Sequence, residues 1–349
     1  MSEPAPDKQP AAKAARRNVG DVPSSTGGHD LVEGLVAPLR LMCRERLGPI
    51  EWFRSTWQRG GAATGYSTWT FTDGTTAEVL VKIPVGPSEY GWTVGLGHYD
   101  NDLWNSPEVR ALPVPRVVAA GEMLGGYDLA WFIVEKLSGP ALNQRICERV
   151  VREILCAAAE FQARAASLRA VAGAGEQRDW HGLIARSREL LEFTTMPEQK
   201  RWAKCLQRLE RSLPRVLSVW ESRPFNTWCH GDLHPGNAMR REIGQDDGRC
   251  VLFDLAFVHP GHWVEDAVYV ERQFWAHPEV LGTTKPVQEL ARQRKALGLD
   301  SQGEVGQLAA ARRVLMAGCA PAWWETEGSP AYAMGALGML EKHLDLFAK

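Results

Sequence analysis

Nine residues, Cys229-His230-Gly231-Asp232-Leu233-His234-Pro235-Gly236-Asn237, decide how this chain is read, together with Asp254, which follows 17 positions after Asn237 at the end of the apolar run 250–253. Pro235 and Gly236 force a turn between Asp232 and Asn237, and a strand returning beside that turn carries Asp254, so three oxygen-bearing side chains can meet at one edge. Mg²⁺ prefers oxygen ligands and keeps phosphate and water in its shell, which Asn237 and Asp254 can complete. Asp232 is then left to orient an attacking hydroxyl and accept its proton. This is an arrangement suited to phosphoryl transfer. The competing reading is that the same polar side chains only cap a helix or satisfy a turn.

Around this segment the composition is that of an ordinary globular protein. The 349 residues are 44% hydrophobic and 23% charged, and 40 basic side chains nearly balance 42 acidic ones, for a formal net charge of −2. A length well above ~150 residues favours a bilobal body over one compact unit. Near-neutral charge argues against nucleic acid or an anionic membrane as the main partner and leaves small or selective ones. The seven cysteines are scattered and form no C-x-x-C pair, so neither a disulfide framework nor a zinc cage is indicated, and no second Cys/His cluster follows His230 and His234 at finger spacing. Residues 1–30 lack the ~7–15-residue apolar stretch of a secretory signal, and no later segment reaches the ~18–20 apolar residues of a membrane span. A disordered tail over 1–30 and a cytoplasmic location are expected.

Upstream of the key segment, Leu31, Leu35, Leu39 and Met42 recur at helical spacing, with Pro38 predicting a break or a late start. Residues 66–71 and 77–83 flank Thr72-Asp73-Gly74-Thr75, whose Asp-Gly pair predicts a β-hairpin. Residues 114–120 and 129–137 add two strands about a Gly125-Gly126 turn. From 143 to about 222 the pattern is helical, with Ile146, Val150, Ile154, Ala157, Ala158 and Phe161 on one apolar stripe. Everything after His262 is helical again. The expected fold class is α+β, with a small antiparallel-sheet lobe over 31–138 and a helical lobe over 139–349 that has a β-hairpin embedded in its middle.

Residues 230–237 resemble, without a mismatch, the catalytic loop of the aminoglycoside phosphotransferase family, also called the phosphotransferase enzyme family, and share the Asp-to-Asn spacing of the kinase pattern H-R-D-x-x-x-x-N. The resemblance implies a protein-kinase-like bilobal fold, related to choline and homoserine kinases, with ATP and Mg²⁺ as cofactors. It makes Asp232 the catalytic aspartate and Asn237 and Asp254 the metal ligands. Leu252-Phe253-Asp254-Leu255-Ala256 departs from the family in one respect, since Phe-Gly, Phe-Glu or Trp-Glu usually follows the aspartate. Glu265-Asp266-Ala267 is similar to the family's Asp-Leu-Ala, which implies that Asp266 braces the catalytic loop.

In the small lobe the resemblance assigns the nucleotide contacts. Gln58-Arg59-Gly60-Gly61-Ala62-Ala63-Thr64-Gly65 precedes a strand, and Gly60, Gly61 and Thr64 would admit phosphate oxygens to backbone N–H groups, although a glycine pair there also reads as a plain turn. Lys82 in Val79-Leu80-Val81-Lys82-Ile83 resembles the lysine of V-A-I-K, the alternative being a snorkelling edge-strand lysine. Its carboxylate partner would be Asp100, by counting back from Leu112, or else Asp102, Glu108 or Glu89, and the stretch 91–97 is predicted to be poorly helical because of its glycines. Leu112-Pro113-Val114-Pro115-Arg116-Val117 looks like the strand that precedes the hinge, and backbone groups from Glu135 to Leu137 would hold adenine.

The expected activity is transfer of a phosphoryl group to a hydroxyl of a small polar acceptor. Trp323-Trp324 with Glu325 and Glu327 would suit an amine-bearing substrate, or would form a solvated acidic loop; Arg292-Gln293-Arg294-Lys295 and Arg312-Arg313 are expected to face solvent. A catalytically silent nucleotide-binding scaffold and a protein Ser/Thr kinase are the rival functions. Nothing in the sequence assigns an oligomeric state or a choice of ATP over GTP.

Overall fold

The computed structural model describes residues 27–54, 62–139, 141–175, 177–242, 249–301, 303 and 305–348, except for the side chains of 27–31, 326 and 327. Most of residues 1–30 and the pair Gly60-Gly61 lie outside the described residues. The first helix, α1 (Gly27–Met42), starts ahead of Leu31 and runs through Pro38 without breaking. Burial of Leu35 and Leu39 against the sheet offsets the hydrogen bond that proline removes.

The small lobe is one antiparallel sheet of β1 (Glu51–Arg54), β2 (Ala63–Thr70), β3 (Thr76–Ile83), β4 (Val117–Gly121) and β5 (Trp131–Glu135), in the order β1-β2-β3-β5-β4. The Asp-Gly hairpin forms where its turn residues predicted, pairing Thr70 with Thr76 and Thr64 with Lys82. Trp69, Val79, Val81, Trp131 and Ile133 fill the core under α1. Residues 91–97 are a correction to the expectation, because α2 (Pro87–Gly97) is a regular helix. Its glycines cost roughly 1 kcal/mol each against alanine. Pro87 at the first helical position and the burial of Trp92 and Leu96, with Trp92 edge-on to Trp228, outweigh that cost.

A short helix, α3 (Pro107–Arg110), leads to the hinge, and the large lobe follows as α4 (Glu148–Leu168), α5 (Trp180–Phe193), α6 (Gln199–Glu221), α7 (Val264–Arg272), α8 (Pro286–Ala296), α9 (Val305–Gly318), α10 (Trp324–Glu327) and α11 (Pro330–Leu344). Between α6 and α7 lie two ribbons, β6 (Thr227–Cys229) with β9 (His259–Gly261) and β7 (Ala238–Arg240) with β8 (Cys250–Leu252). At least ten of the fourteen tryptophans are buried, so they serve packing before recognition. The arginine runs do not simply face solvent as expected. Arg294 and Arg312 are buried, the first over the Trp263 ring and the second between Trp180 and Trp220, where cation–π contact compensates desolvation. Among the described residues no helix is long and apolar enough to cross a membrane.

Candidate active site

The key segment leaves β6 and is held from behind by α7. Asp266 accepts the backbone N–H groups of His230 at 3.0 Å and Gly231 at 3.2 Å, and Gln162 of α4 donates to it at 2.9 Å. Arg294 continues the chain by donating to Gln162 at 2.6 Å. Gly231 has φ +82°, and a Cβ there would lie 2.2 Å from the Phe257 carbonyl oxygen, so only glycine fits. His230 is wholly buried; its Nδ1 takes the Asp232 N–H at 3.3 Å and its Nε2 reaches the Phe253 carbonyl at 3.2 Å, which fixes the loop to the residue before Asp254. Burial pushes its imidazole pKa down, in keeping with a neutral ring that accepts at one nitrogen and donates at the other.

These anchors bring the turn and the returning ribbon together. The register Ala238 to Leu252, extended by the Phe253 N–H bonding to the Asn237 carbonyl at 3.1 Å, sets Asn237 beside the segment that ends in Asp254. Asn237 Nδ2 donates to Asp232 Oδ2 at 2.9 Å and to the Asp232 carbonyl at 3.1 Å, which leaves Oδ1 as its outward acceptor. Tyr269 of α7 donates to Asp232 Oδ1 at 2.6 Å, and His234 Nε2 lies 3.5 Å from Oδ2. His234, with Tyr269 and Asn237, holds the Asp232 carboxyl well below the usual carboxylate range although it is half-buried. Tyr269 was not singled out from the sequence, since the only signal was its place three residues after Asp266 on the same helix.

Asp254 itself has φ +63°, in the left-handed region, and Leu255 after it is fully buried. Leucine in place of the family's aromatic residue therefore still plugs inward. Among the described residues, no side-chain hydrogen bond engages the Asp254 carboxylate. An all-oxygen donor set of Asp254 and Asn237 Oδ1 is of the kind that Mg²⁺ takes.

Asp254 also lines a cavity of about 260 Å³ between the sheet and the β7–β8 ribbon, with Thr64, Lys82, Glu89, Glu135 and Leu137. Lys82 forms an ion pair there with Glu89 on α2. The partner is therefore not Asp100, Asp102 or Glu108; Asp100 instead caps the turn at 101–103. Counting back failed because α2 continues through its glycines, and the carboxylate that meets Lys82 comes from its first turn. Burial pushes the Glu89 carboxyl up, and Lys82 partly offsets this. Leu80, Val134 and Met239 supply apolar walls, and Arg54 of β1 adds a cation at the rim that the sequence reading did not single out.

At the hinge the Glu135 N–H bonds to the Arg116 carbonyl and the Lys136 N–H to the Glu78 carbonyl. The Glu135 side chain is buried between Arg116 and Arg241, at 2.8 and 2.9 Å. Arg241 also donates to the carbonyls of Arg110, Leu112 and Val114, so one guanidinium ties the large-lobe ribbon to the segment entering β4.

A family model described as the phosphotransferase enzyme family matches residues 103–323, more than half of the chain. The chain belongs to the phosphotransferase enzyme family. Solved structures of similar fold include an aminoglycoside phosphotransferase from Alicyclobacillus acidocaldarius, 16% identical over 81% of this chain and 88% of that one with a TM-score of 0.52. A microcompartment-associated aminopropanol kinase is 14% identical over 90% of this chain and 98% of its own, with a TM-score of 0.51. No curated protein sequence matches. At such identities the likeness establishes the kinase-like bilobal fold, as the loop resemblance implied.

Proposed function

We propose that this member of the phosphotransferase enzyme family moves the γ-phosphoryl group of ATP to a hydroxyl of a small polar molecule. The observation that carries the reading is the placement of Lys82, paired with Glu89, in one cleft with Asp254, whose carboxylate takes no side-chain hydrogen bond among the described residues, while Asn237 joins that ribbon to Asp232. ATP would enter with adenine against Leu80, Val134 and Met239 and its base edge at the Leu137 backbone. Lys82 would offset α- and β-phosphate charge, and Thr64 lies on the sheet above it, opposite Lys82 in register. Asn237 and Asp254 would hold Mg²⁺, which when bound neutralises charge on the β- and γ-phosphate oxygens.

Asp232, ionised at neutral pH, would take the acceptor hydroxyl into line with the γ-phosphorus. The new oxygen–phosphorus bond forms as the bond to the β-phosphate oxygen breaks, the electron pair leaves with ADP, and the hydroxyl proton passes to Asp232. A carboxylate of such low basicity acts chiefly by orientation, which fits a loose transition state. The test is incubation with γ-labelled ATP, Mg²⁺ and a panel of aminoglycosides, choline, amino alcohols and sugars. Asp232→Asn should lower turnover by roughly 10²–10⁴-fold with nucleotide affinity kept, and Asp254→Asn should weaken Mg-nucleotide binding. Full turnover in Asp232→Asn would discard the mechanism, and nucleotide binding without turnover on any acceptor would favour a silent nucleotide-binding scaffold.

A further inference from the structure

Behind the catalytic loop, on the face away from the nucleotide cleft, three side chains of metal-binding type converge. Cys229 and His259 are direct cross-strand partners in the β6–β9 ribbon, and Glu265 enters from the first turn of α7. Their Sγ, imidazole nitrogen and carboxylate oxygen all lie within 4.8 Å of one another. Cys229 is fully buried and Glu265 is 3% exposed. Gly261 sits between them, where a Cβ would come 2.6 Å from Glu265 Oε1 and 3.0 Å from Cys229 Sγ. The missing side chain is what allows thiol and carboxylate to approach.

The hydrogen bonding around this cluster is incomplete in a specific way. Glu265 Oε1 is satisfied by Arg223 at 3.0 Å and by the His262 N–H at 2.9 Å. Among the described residues, Glu265 Oε2 and His259 Nε2 are buried atoms with no hydrogen-bond partner, and they face each other at 3.6 Å. That gap is too long for a charge-assisted hydrogen bond, which spans about 2.7–2.9 Å. It is close to the separation of two ligands on one tetrahedral ion, roughly 3.3–3.5 Å for bonds of ~2.0–2.1 Å. His259 Nδ1 is 2.9 Å from the Phe257 carbonyl, the backbone bond that turns the Nε2 lone pair of a metal-ligating histidine inward. Facing the Glu265 carboxylate, that nitrogen must carry either a proton or a cation shared with Glu265.

We propose that Cys229 Sγ, His259 Nε2 and Glu265 Oε2 form a binding site for one Zn²⁺-type divalent ion, separate from the Mg²⁺ ligands of the cleft. Mixed sulfur, nitrogen and oxygen donors suit a borderline-soft ion and not Mg²⁺, and three protein ligands leave a fourth position for water. Binding requires the Cys229 S–H to release its proton to solvent, so that thiolate and carboxylate offset the charge of the ion. The ion would fasten β6 to α7 directly behind His230 and Gly231, whose N–H groups already bond to Asp266. The sequence hides the site because its ligands are 30 and 6 residues apart, in no recognised spacing.

The test uses the full chain, stripped with chelator and reloaded with one equivalent of Co²⁺ or Zn²⁺. Co²⁺ should give a thiolate-to-metal charge-transfer band that disappears in Cys229→Ser and persists when Cys147 and Cys156, the two cysteines not buried, are both changed to Ser. Zn²⁺ should raise the midpoint of thermal unfolding in the wild type and not in Cys229→Ser or His259→Gln. X-ray absorption of the Zn²⁺ wild-type protein, which depends on no variant, should show one sulfur at about 2.3 Å and nitrogen and oxygen at about 2.0–2.1 Å. A shell without sulfur, a band retained in Cys229→Ser, or failure to bind one equivalent at micromolar Zn²⁺ would each overturn the proposal.

Discussion

Replacing Arg241 should unfasten the two lobes, and the structure sets the size of the effect. Arg241 is 5% exposed and Glu135 is 4% exposed. The guanidinium meets both Glu135 oxygens, at 2.9 to 3.1 Å, and also bonds to the carbonyls of Arg110, Leu112 and Val114. Removing one partner of a buried pair costs about 3–5 kcal/mol because the other charge stays buried. Arg116 remains on Glu135, which favours the lower end, while each carbonyl left without a donor adds about 1 kcal/mol or more. Arg241→Ala should therefore lower unfolding free energy by about 6 kcal/mol, and Arg241→Lys, which keeps the charge but cannot span five acceptors, by about 2 kcal/mol. Chemical denaturation followed by tryptophan fluorescence measures this. The loss should persist in 1 M salt, where the screening length is about 3 Å but solvent ions do not reach a buried pair. Combining Arg241→Lys with Glu135→Gln should show a coupling of about 1 kcal/mol or more. An Arg241→Ala loss below about 1 kcal/mol, or one abolished by salt, would refute the reasoning and make the cluster incidental.

Other substitutions probe the loop, the cleft and the pH response. Gly231→Ala should cost at least ~2 kcal/mol, from left-handed backbone strain and collision with the Phe257 carbonyl, and lower turnover; a stable, fully active alanine variant would contradict the packing. Glu89→Gln, which leaves Lys82 without its ion-pair partner, should raise the nucleotide KM by about tenfold, equivalent to ~1.4 kcal/mol; an unchanged KM would mean that Glu89 does not position Lys82. Burial, with Arg313 and Lys342 nearby, pushes the His343 imidazole down to about 4 from the ordinary 6.5. Between those values the unfolded chain binds the proton that the folded chain refuses, so stability is full above pH 6.5 and falls as pH drops toward 4. The shift caps this at roughly 3 kcal/mol and partial exposure trims it to ~1–2; His343→Gln should flatten that acid limb of the unfolding midpoint, and an unaltered limb would rule His343 out.

How far the chain could be read depended on whether the information was local. The Asp73-Gly74 turn needs only its own backbone preferences, and its hairpin formed in the predicted place. The 230–237 loop was legible because its turn and spacing are local, and the family it resembles is the one whose model matches residues 103–323. The helix over 87–97 and the unbroken α1 were misread because propensity argued against structure that burial then enforced. Arg294 and Arg312 were expected in solvent because a sequence shows the charge and not the tryptophan ring beneath it.

The order of residues thus settled the chemistry on offer, a carboxylate, an amide and a second carboxylate on a turn and its returning strand, since turn preference and strand alternation act over a few residues. Packing alone chose Glu89 over Asp100 as the mate of Lys82, brought Tyr269 onto Asp232, buried the Glu135 side chain between two arginines and drew Cys229, His259 and Glu265 together. Those meetings join residues 6 to 106 apart in sequence. They follow from how the lobes and helices bury their apolar faces, which no short window of sequence records.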